Sequence, residues 1–400
     1  MMIPPPKRTG VDLKVPLIPR PTVLAAFLLV APWLPGLGAQ TVLPAQPPCA
    51  TCAVRLIRVA TLGAELDGRL KREPLWMARD RRGRYFVTYT SKPDLASAFD
   101  STGRFLQEIG RKGSGPAEFV YPMTVNVDTH DRLILWDVEG MRESVFDQDL
   151  HFTRSYIQRS ATLFALPDGR HIASFSALDA SDKPAPLSVF DSVGARVRSF
   201  GASNVVPPDG DAWRGNRVVG PGANGTVWVS RTDMYRLERW DTSGRLLQTF
   251  VRAAAWFPLI ARRANWVTGD EPTPIVRAIR EDRSGHLMLL VSVAAPDWRS
   301  ALGKPRLAPG KPAAYPERID ARVFDTMLDV IDTKTGKLVS SQRLRGLYKF
   351  FLADDLVASY RQDNDGNPFI DVWRVVPGTP LSAPVPAPSS VTPGSGARRN

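Results

Sequence analysis

The sequence predicts an all-β protein, a six-bladed β-propeller of four-stranded antiparallel blades closed by an N-terminal strand that completes the last blade. Three observations carry this. Two kinds of tight turn alternate along the chain at a steady offset. The 36 prolines and 30 glycines in 400 residues suit many turns rather than long helices. One strand-like run near the N-terminus belongs to no repeat, while the last repeat is a strand short.

The first kind of turn lies between two apolar runs. It occurs in Met77–Val87, Val125–Leu135, Phe164–Ala173, Val219–Val229, Ala278–Met288 and Phe350–Ala358. Asp, Asn and Gly at its centre supply the backbone conformations that a tight hairpin demands. The second kind begins with an aromatic or aliphatic residue followed by Asp: Phe99-Asp100, Phe146-Asp147, Phe190-Asp191, Trp240-Asp241 and Ile331-Asp332. Its Asp can cap the turn through the chain's own backbone. Each unit is therefore a meander with two tight turns, and only the sixth lacks its last hairpin.

The missing strand is supplied by Val54-Arg-Leu-Ile-Arg-Val-Ala60, which alternates like a strand. Pairing it with Phe369–Val376 closes the ring and removes the exposed edges. The domain plan is then a signal segment over 1–39, a Pro/Cys-containing leader over 40–53, the propeller over 54–376 and a Pro/Ser/Gly-rich tail over 377–400 expected to be disordered. A pair of β-sandwiches would not explain the regular turn spacing.

The clearest unit begins with Gly110-Arg-Lys-Gly-Ser-Gly-Pro-Ala-Glu-Phe-Val-Tyr-Pro122 and continues through Val125-Asn-Val-Asp128 and Leu133-Ile-Leu-Trp-Asp137. It resembles the NHL-repeat type of six-bladed propeller, whose repeats start with a glycine-rich loop, Phe and Pro. The resemblance is good over 110–147, fair over 74–109 and 217–250, and a turn skeleton elsewhere. It implies the fold and a binding habit, not by itself an enzyme. Gly113–Pro116 leads into a strand rather than a helix, so no helix dipole waits there for an anion. Arg111 and Lys112 are that loop's expected contribution to function.

The N-terminus reads as an export signal: Lys7, Arg8, Lys14 and Arg20, then the apolar run Thr22–Val30, then small residues with cleavage near Ala39. Pro32 and Pro35 shorten the apolar run against a retained anchor. The formal charge is +12. Loss of residues 1–39 removes four Lys/Arg and Asp12, which leaves 48 basic and 39 acidic side chains, or +9. In a periplasmic or extracellular protein that excess points away from nucleic acid and toward anionic glycans, headgroups or acidic peptides, although many exported proteins are basic with no such partner. No stable membrane insertion is expected after signal removal, and the expected state is a monomer. Both cysteines lie in Cys49-Ala-Thr-Cys52. A local disulfide is the simplest reading, with redox or metal roles as alternatives that lack a following helix or further ligands.

In a meander the first and third turns of each blade share one rim. The second turns and the blade-to-blade connections share the other. The long irregular segments, 107–121, 177–186, 201–216, 253–274 and 294–324, all fall on that second rim. They carry Trp213, Trp256, Trp266, Trp298 and Tyr315 beside Arg111, Lys112, Arg214, Arg262, Arg263, Arg299 and Arg318. Aromatic rings beside guanidinium groups suit an anionic glycan, peptide or protein partner. The competing reading of each aromatic is that it pins its own loop to the ring.

An enzyme of this architecture would need metal ligands on the innermost strands. Those strands, around Leu75, Met123, Thr162, Arg217, Ile275 and Lys349, offer almost none before their turns. That departs from lactonase-type and amidating-lyase-type propellers. His130, His171, His286 and His151 all fall at tight turns on different blades, and Asp363–Asn367 reads as a hairpin turn. No catalytic residue, metal or cofactor is expected. A non-catalytic binding or scaffold propeller is the first reading, and an exported hydrolase or lyase with an unrecognised channel site is the alternative.

Overall fold

The computed structural model describes residues 40–47, 52–64, 70–90, 94–157, 161–174, 187–201, 217–258, 270–304, 306–308, 311–314 and 320–377. Five four-stranded sheets and one five-stranded sheet form the body. Blade 1 comprises Pro74–Arg79, Tyr85–Tyr89, Ala96–Phe99 and Phe105–Ile109. Blade 2 comprises Pro122–Val127, Leu133–Asp137, Arg142–Phe146 and Phe152–Ile157. Blade 3 comprises Ala161–Ala165, His171–Ser174, Leu187–Phe190 and Arg196–Phe200. Blade 4 comprises Arg217–Pro221, Val227–Arg231, Arg236–Trp240 and Leu246–Arg252.

Blade 5 comprises Ile275–Glu281, His286–Ala294, Phe324–Asp332 and Lys337–Leu344. Blade 6 comprises Leu347–Ala353, Leu356–Gln362 and Pro368–Pro377. Its outermost strand is Val54–Leu62, antiparallel to Pro368–Pro377. The innermost strand of every blade touches the innermost strands of both neighbours, so the ring is closed.

The Asp-turn signal has a direct physical basis. In blades 1 to 4 the Oδ1 of Asp100, Asp147, Asp191 and Asp241 accepts the backbone N–H groups two and four residues ahead. Each side chain thus satisfies donors that the tight turn would otherwise leave open. The backbone hydrogen bond from His151, helped by that from Asp149, holds the Asp147 carboxyl below the usual carboxylate range against the opposing effect of desolvation. Gly103 serves a second purpose besides its φ of +97°. A Cβ there would stand 2.3 Å from the carbonyl oxygen of Thr61, so the closing strand packs directly on it.

The leader departs from the expected plan. Gln40–Leu43 is a strand that adds in parallel to the outer edge of blade 4, against Thr249–Arg252. The chain then reaches Val54, whose N–H donates to Gln342 Oε1 of blade 5 at 2.9 Å. A buried polar cluster fixes this arrangement. Arg252 of blade 4 pairs with Asp329 of blade 5, both side chains 1% exposed. Tyr235 Oη donates to Asp329 Oδ2 at 2.6 Å, and Arg252 donates to the carbonyl oxygens of Pro44 and Ala45. Burial first, then the adjacent Asp329, push the Tyr235 phenol well above its ordinary range.

Close backbone approach joins the same two blades at the inner wall. A Cβ on Gly220 would stand 1.7 Å from the Ile279 carbonyl oxygen, so only glycine fits. The blade 5 insertion contains a 3-10 turn at Trp298–Ala301, a small ladder of Arg306–Ala308 with Lys311–Ala314, and a helix at Asp320–Val323. Residues 1–39 and 378–400, the predicted signal and all but the first residue of the predicted tail, lie outside the described residues.

Candidate functional site

The six innermost strands enclose a central cavity of about 670 Å³. Its described lining includes five cations, Arg79, Arg217, Arg277, Arg280 and Lys349, and no Asp or Glu. Because innermost strands begin at the long-loop face, position along the strand gives depth. Arg217 opens its strand, and Arg277 and Lys349 stand third in theirs. These three, from consecutive blades 4, 5 and 6, occupy the long-loop half. Arg79 and Arg280 lie at the tight-turn end, where Asp354 Oδ1 accepts from Arg280 at 2.9 Å.

Two of the three long-loop cations owe their placement to β-bulges. The ladder of blade 5 shifts register between Val276 and Ala278, which makes Arg277 the extra residue. In blade 6 it shifts between Tyr348 and Phe350, which does the same for Lys349. A bulge breaks the simple in–out alternation and re-aims a side chain. Arg277 Nε donates to Ser292 Oγ at 2.9 Å, with its guanidinium 5.3 Å over Phe324. Lys349 Nζ donates to Glu73 Oε1 at 2.6 Å and to the Pro74 carbonyl, tying blade 6 to blade 1. Glu73 thus pairs with Lys349.

Arg217 faces both this cavity and an adjoining one of about 200 Å³ lined by Arg231, Arg236, Glu238 and Trp240. Its guanidinium is pushed down to about 10, first by burial and then by Arg231, with Glu238 and Asp233 opposing. A nearby anion would relieve that cost. The opposite wall is apolar: blades 1 and 3 contribute Leu75, Trp76, Leu163 and Phe164.

The rim residues read from the sequence fare unevenly. Trp298 is 3% exposed and packed in the core with Ala295, Val323 and Phe324, so it anchors its loop and offers no stacking face. Arg299, exposed beside it, sits 4.4 Å over that ring. Trp256 is half-buried, edge-on to Tyr235 and Phe257 with Arg252 5.5 Å above it, again a loop anchor. Arg111 is exposed and donates to Glu118 Oε1 at 2.8 Å, and Lys112 is exposed beside it. Trp213, Arg214, Arg262, Arg263, Trp266, Tyr315 and Arg318 lie outside the described residues. Cys52 is disulfide-bonded, and Cys49, the chain's other cysteine, lies outside the described residues.

Among the described residues, no group of three or more His, Cys, Asp or Glu is arranged to hold a metal ion. Of the four histidines, His171 differs from a turn residue. It is 3% exposed, and neither ring nitrogen has a hydrogen-bond partner. It opens the second strand of blade 3, and Asp128, Arg132 and Arg154 of blade 2 are among the charges that act on it.

Residues 78–160 match a family model described as a 6-bladed beta-propeller. The protein is a six-bladed β-propeller. The NHL-like reading of residues 110–147 is consistent with that match. A Bacteroides fragilis protein described as exported has a similar structure, at TM-score 0.53 and 11% identity over 84% of this chain and 99% of its own. A member of the DUF4221 family from Bacteroides vulgatus gives TM-score 0.53 and 11% identity over 82% of this propeller and 100% of its own chain. Both likenesses speak to fold alone. No curated protein matches the propeller's sequence. Among the described residues, no helix is long and apolar enough to cross a membrane.

Proposed function

We propose that this propeller is an exported, non-catalytic binding protein whose long-loop face receives an anionic partner, such as a glycan, a peptide or an acidic protein surface. One observation carries the reading: Arg217, Arg277 and Lys349 gather at the long-loop half of the cavity, with no acid in its described lining. Cations in a partly desolvated cavity attract an anion more strongly than the same cations on an open surface. Exposed Arg111, Lys112 and Arg299 extend positive charge around the face. The export half of the reading rests on the signal-like residues 1–39. A hydrolase or lyase would need an acid–base pair or a metal set here, and the polar part of the described lining is Arg, Lys, Asn and Thr.

The test is retention on immobilised heparin at graded salt. Joint Arg217→Met and Arg277→Met substitution is expected to lower the eluting salt concentration, and Arg111→Ala with Arg299→Ala to lower it less. Elution unchanged by either pair would overturn the reading.

A further inference from the structure

The outer edge of blade 4 is built as a strand-binding site, and the chain fills it with a piece of its own leader. Other blades guard their outermost strands with charge. Glu108, Arg154, Arg198, Lys337 and Arg58 stand exposed on those of blades 1, 2, 3, 5 and 6, where they discourage a further strand from pairing. On blade 4 the outermost strand Leu246–Arg252 has one charged residue, Arg252, which is 4% exposed and paired with Asp329. That unguarded edge carries Gln40–Leu43 in parallel, with Gln40 opposite Thr249 and Leu43 opposite Arg252.

Three features hold the added strand. The backbone ladder supplies affinity without reading side chains. Leu43 is 2% exposed and belongs to the core cluster of Trp228, Leu237 and Phe250. Arg252 then donates to the carbonyl oxygens of Pro44 and Ala45 at 3.2 and 2.7 Å. A ladder for affinity and a pocket for specificity is how a sheet edge captures an extended peptide. Val42 by contrast is 70% exposed, so the edge reads chiefly one apolar side chain and the two carbonyls after it. An empty edge would bare the Leu43 pocket and strip a buried guanidinium of two acceptors.

We infer that this edge also accepts Gln40–Ala45 of a second copy, so that two rings exchange leaders reciprocally and form a dimer. The inference goes beyond the anionic-partner reading and does not depend on it, because the outer edge and the long-loop face are different surfaces. An exchanged strand makes the same ladder, fills the same pocket and meets the same Arg252. Docking energy therefore does not separate the two arrangements, and only the tether does. Residues 44–53 lead from the blade 4 edge to Val54, which pairs with Pro377 of blade 6. A short flexible link gives the chain's own strand an effective concentration of about millimolar. Pro44 and Pro47 each fix a φ angle in this link, which cuts the poses from which its own strand can return. A second copy at similar concentration competes on level terms. Once one strand has crossed, the second exchange is intramolecular and closes the dimer.

The experiment concentrates the protein to about millimolar and warms it to just below its melting temperature, so that leaders undock. It is then cooled, diluted and run on size exclusion with light scattering. A dimer is expected, trapped because the buried Arg252 contacts must break before it can separate. Removing residues 46–48 shortens the link's reach by about 10 Å and should give the dimer at about tenfold lower concentration or less. Removing residues 40–45 should abolish it, as should an excess of a synthetic hexapeptide copying residues 40–45 during warming. The hexapeptide arm uses the unaltered chain, so it decides the matter even if the deletion unfolds the ring. A monomer at millimolar concentration overturns the inference. So does a dimer that persists without residues 40–45 or in excess hexapeptide.

Discussion

Replacing Asp329 by Asn is expected to destabilise the ring by about 3 kcal/mol, because it leaves a buried guanidinium without its counter-charge. Arg252 and Asp329 are each 1% exposed at the side chain. Removing one member of such a pair costs about 3–5 kcal/mol, and the structure favours the lower end. Asn keeps the shape and can still accept from Tyr235, and Arg252 retains the carbonyl oxygens of Pro44 and Ala45. With a urea slope of about 3 kcal/mol per M, the unfolding midpoint should fall by about 1 M. A fall below about 0.3 M would match an exposed ion pair and refute the argument that the substitution leaves a buried charge uncompensated. Deuterium exchange gives a second reading: backbone amides of residues 40–45 should exchange faster in the variant, and those of blade 2 should not.

Gly220→Ala should cost about 3 kcal/mol, since the new methyl meets a backbone oxygen rather than a side chain that can swing away; in a ring of this size that lowers the melting temperature by about 4 °C, and a melt within about 1 °C of wild type would contradict this. Burial above all holds the His171 pKa below its ordinary 6.5, with Arg132 and Arg154 adding to the effect and Asp128 and Asp191 opposing it. The unfolded chain therefore takes up the proton first, so stability should be full above about pH 6.5 and fall as pH drops further. His171→Leu should flatten that acid limb in urea titrations, and an unchanged limb would show that His171 has no part in it. Deleting Val54–Leu62 should abolish cooperative melting by circular dichroism, whereas deleting Gln40–Leu43 should lower the midpoint and keep the ring; equal effects would be the contrary result.

The blade count was legible in the sequence because Asp-capped turns are local chemistry: Asp100 or Asp241 binds backbone donors within four residues. The closing strand was legible because a closed ring needs one strand that the C-terminal repeat lacks. The blade 4 strand Gln40–Leu43 was not. Four residues followed closely by Pro44 give no periodic signal, and what holds them is Arg252, more than 200 residues away.

The channel cations stood in plain view as Arg217, Arg277 and Lys349, and a search for metal ligands reads past them. Even a search for cations could not have aimed Arg277 and Lys349, because their direction depends on bulges set by the second strands. Trp256 and Trp298 read as rim aromatics from position alone, and only packing shows that their faces are already used.

The closing strand sets the order in which this protein can be finished. Thr61 Oγ1 donates to Asp371 Oδ1 across 310 residues of sequence. At about 5–20 residues per second of synthesis, the strand made near the start waits roughly 15–60 s for its partner. Five blades can assemble from neighbours already made, but the sixth cannot. Until Pro368–Pro377 emerges, Val54–Leu62 is a bare edge carrying Leu56, Ile57 and Val59, able to pair with any other nascent copy. Such a chain is best kept extended until it is complete, and passage across a membrane before folding would do that.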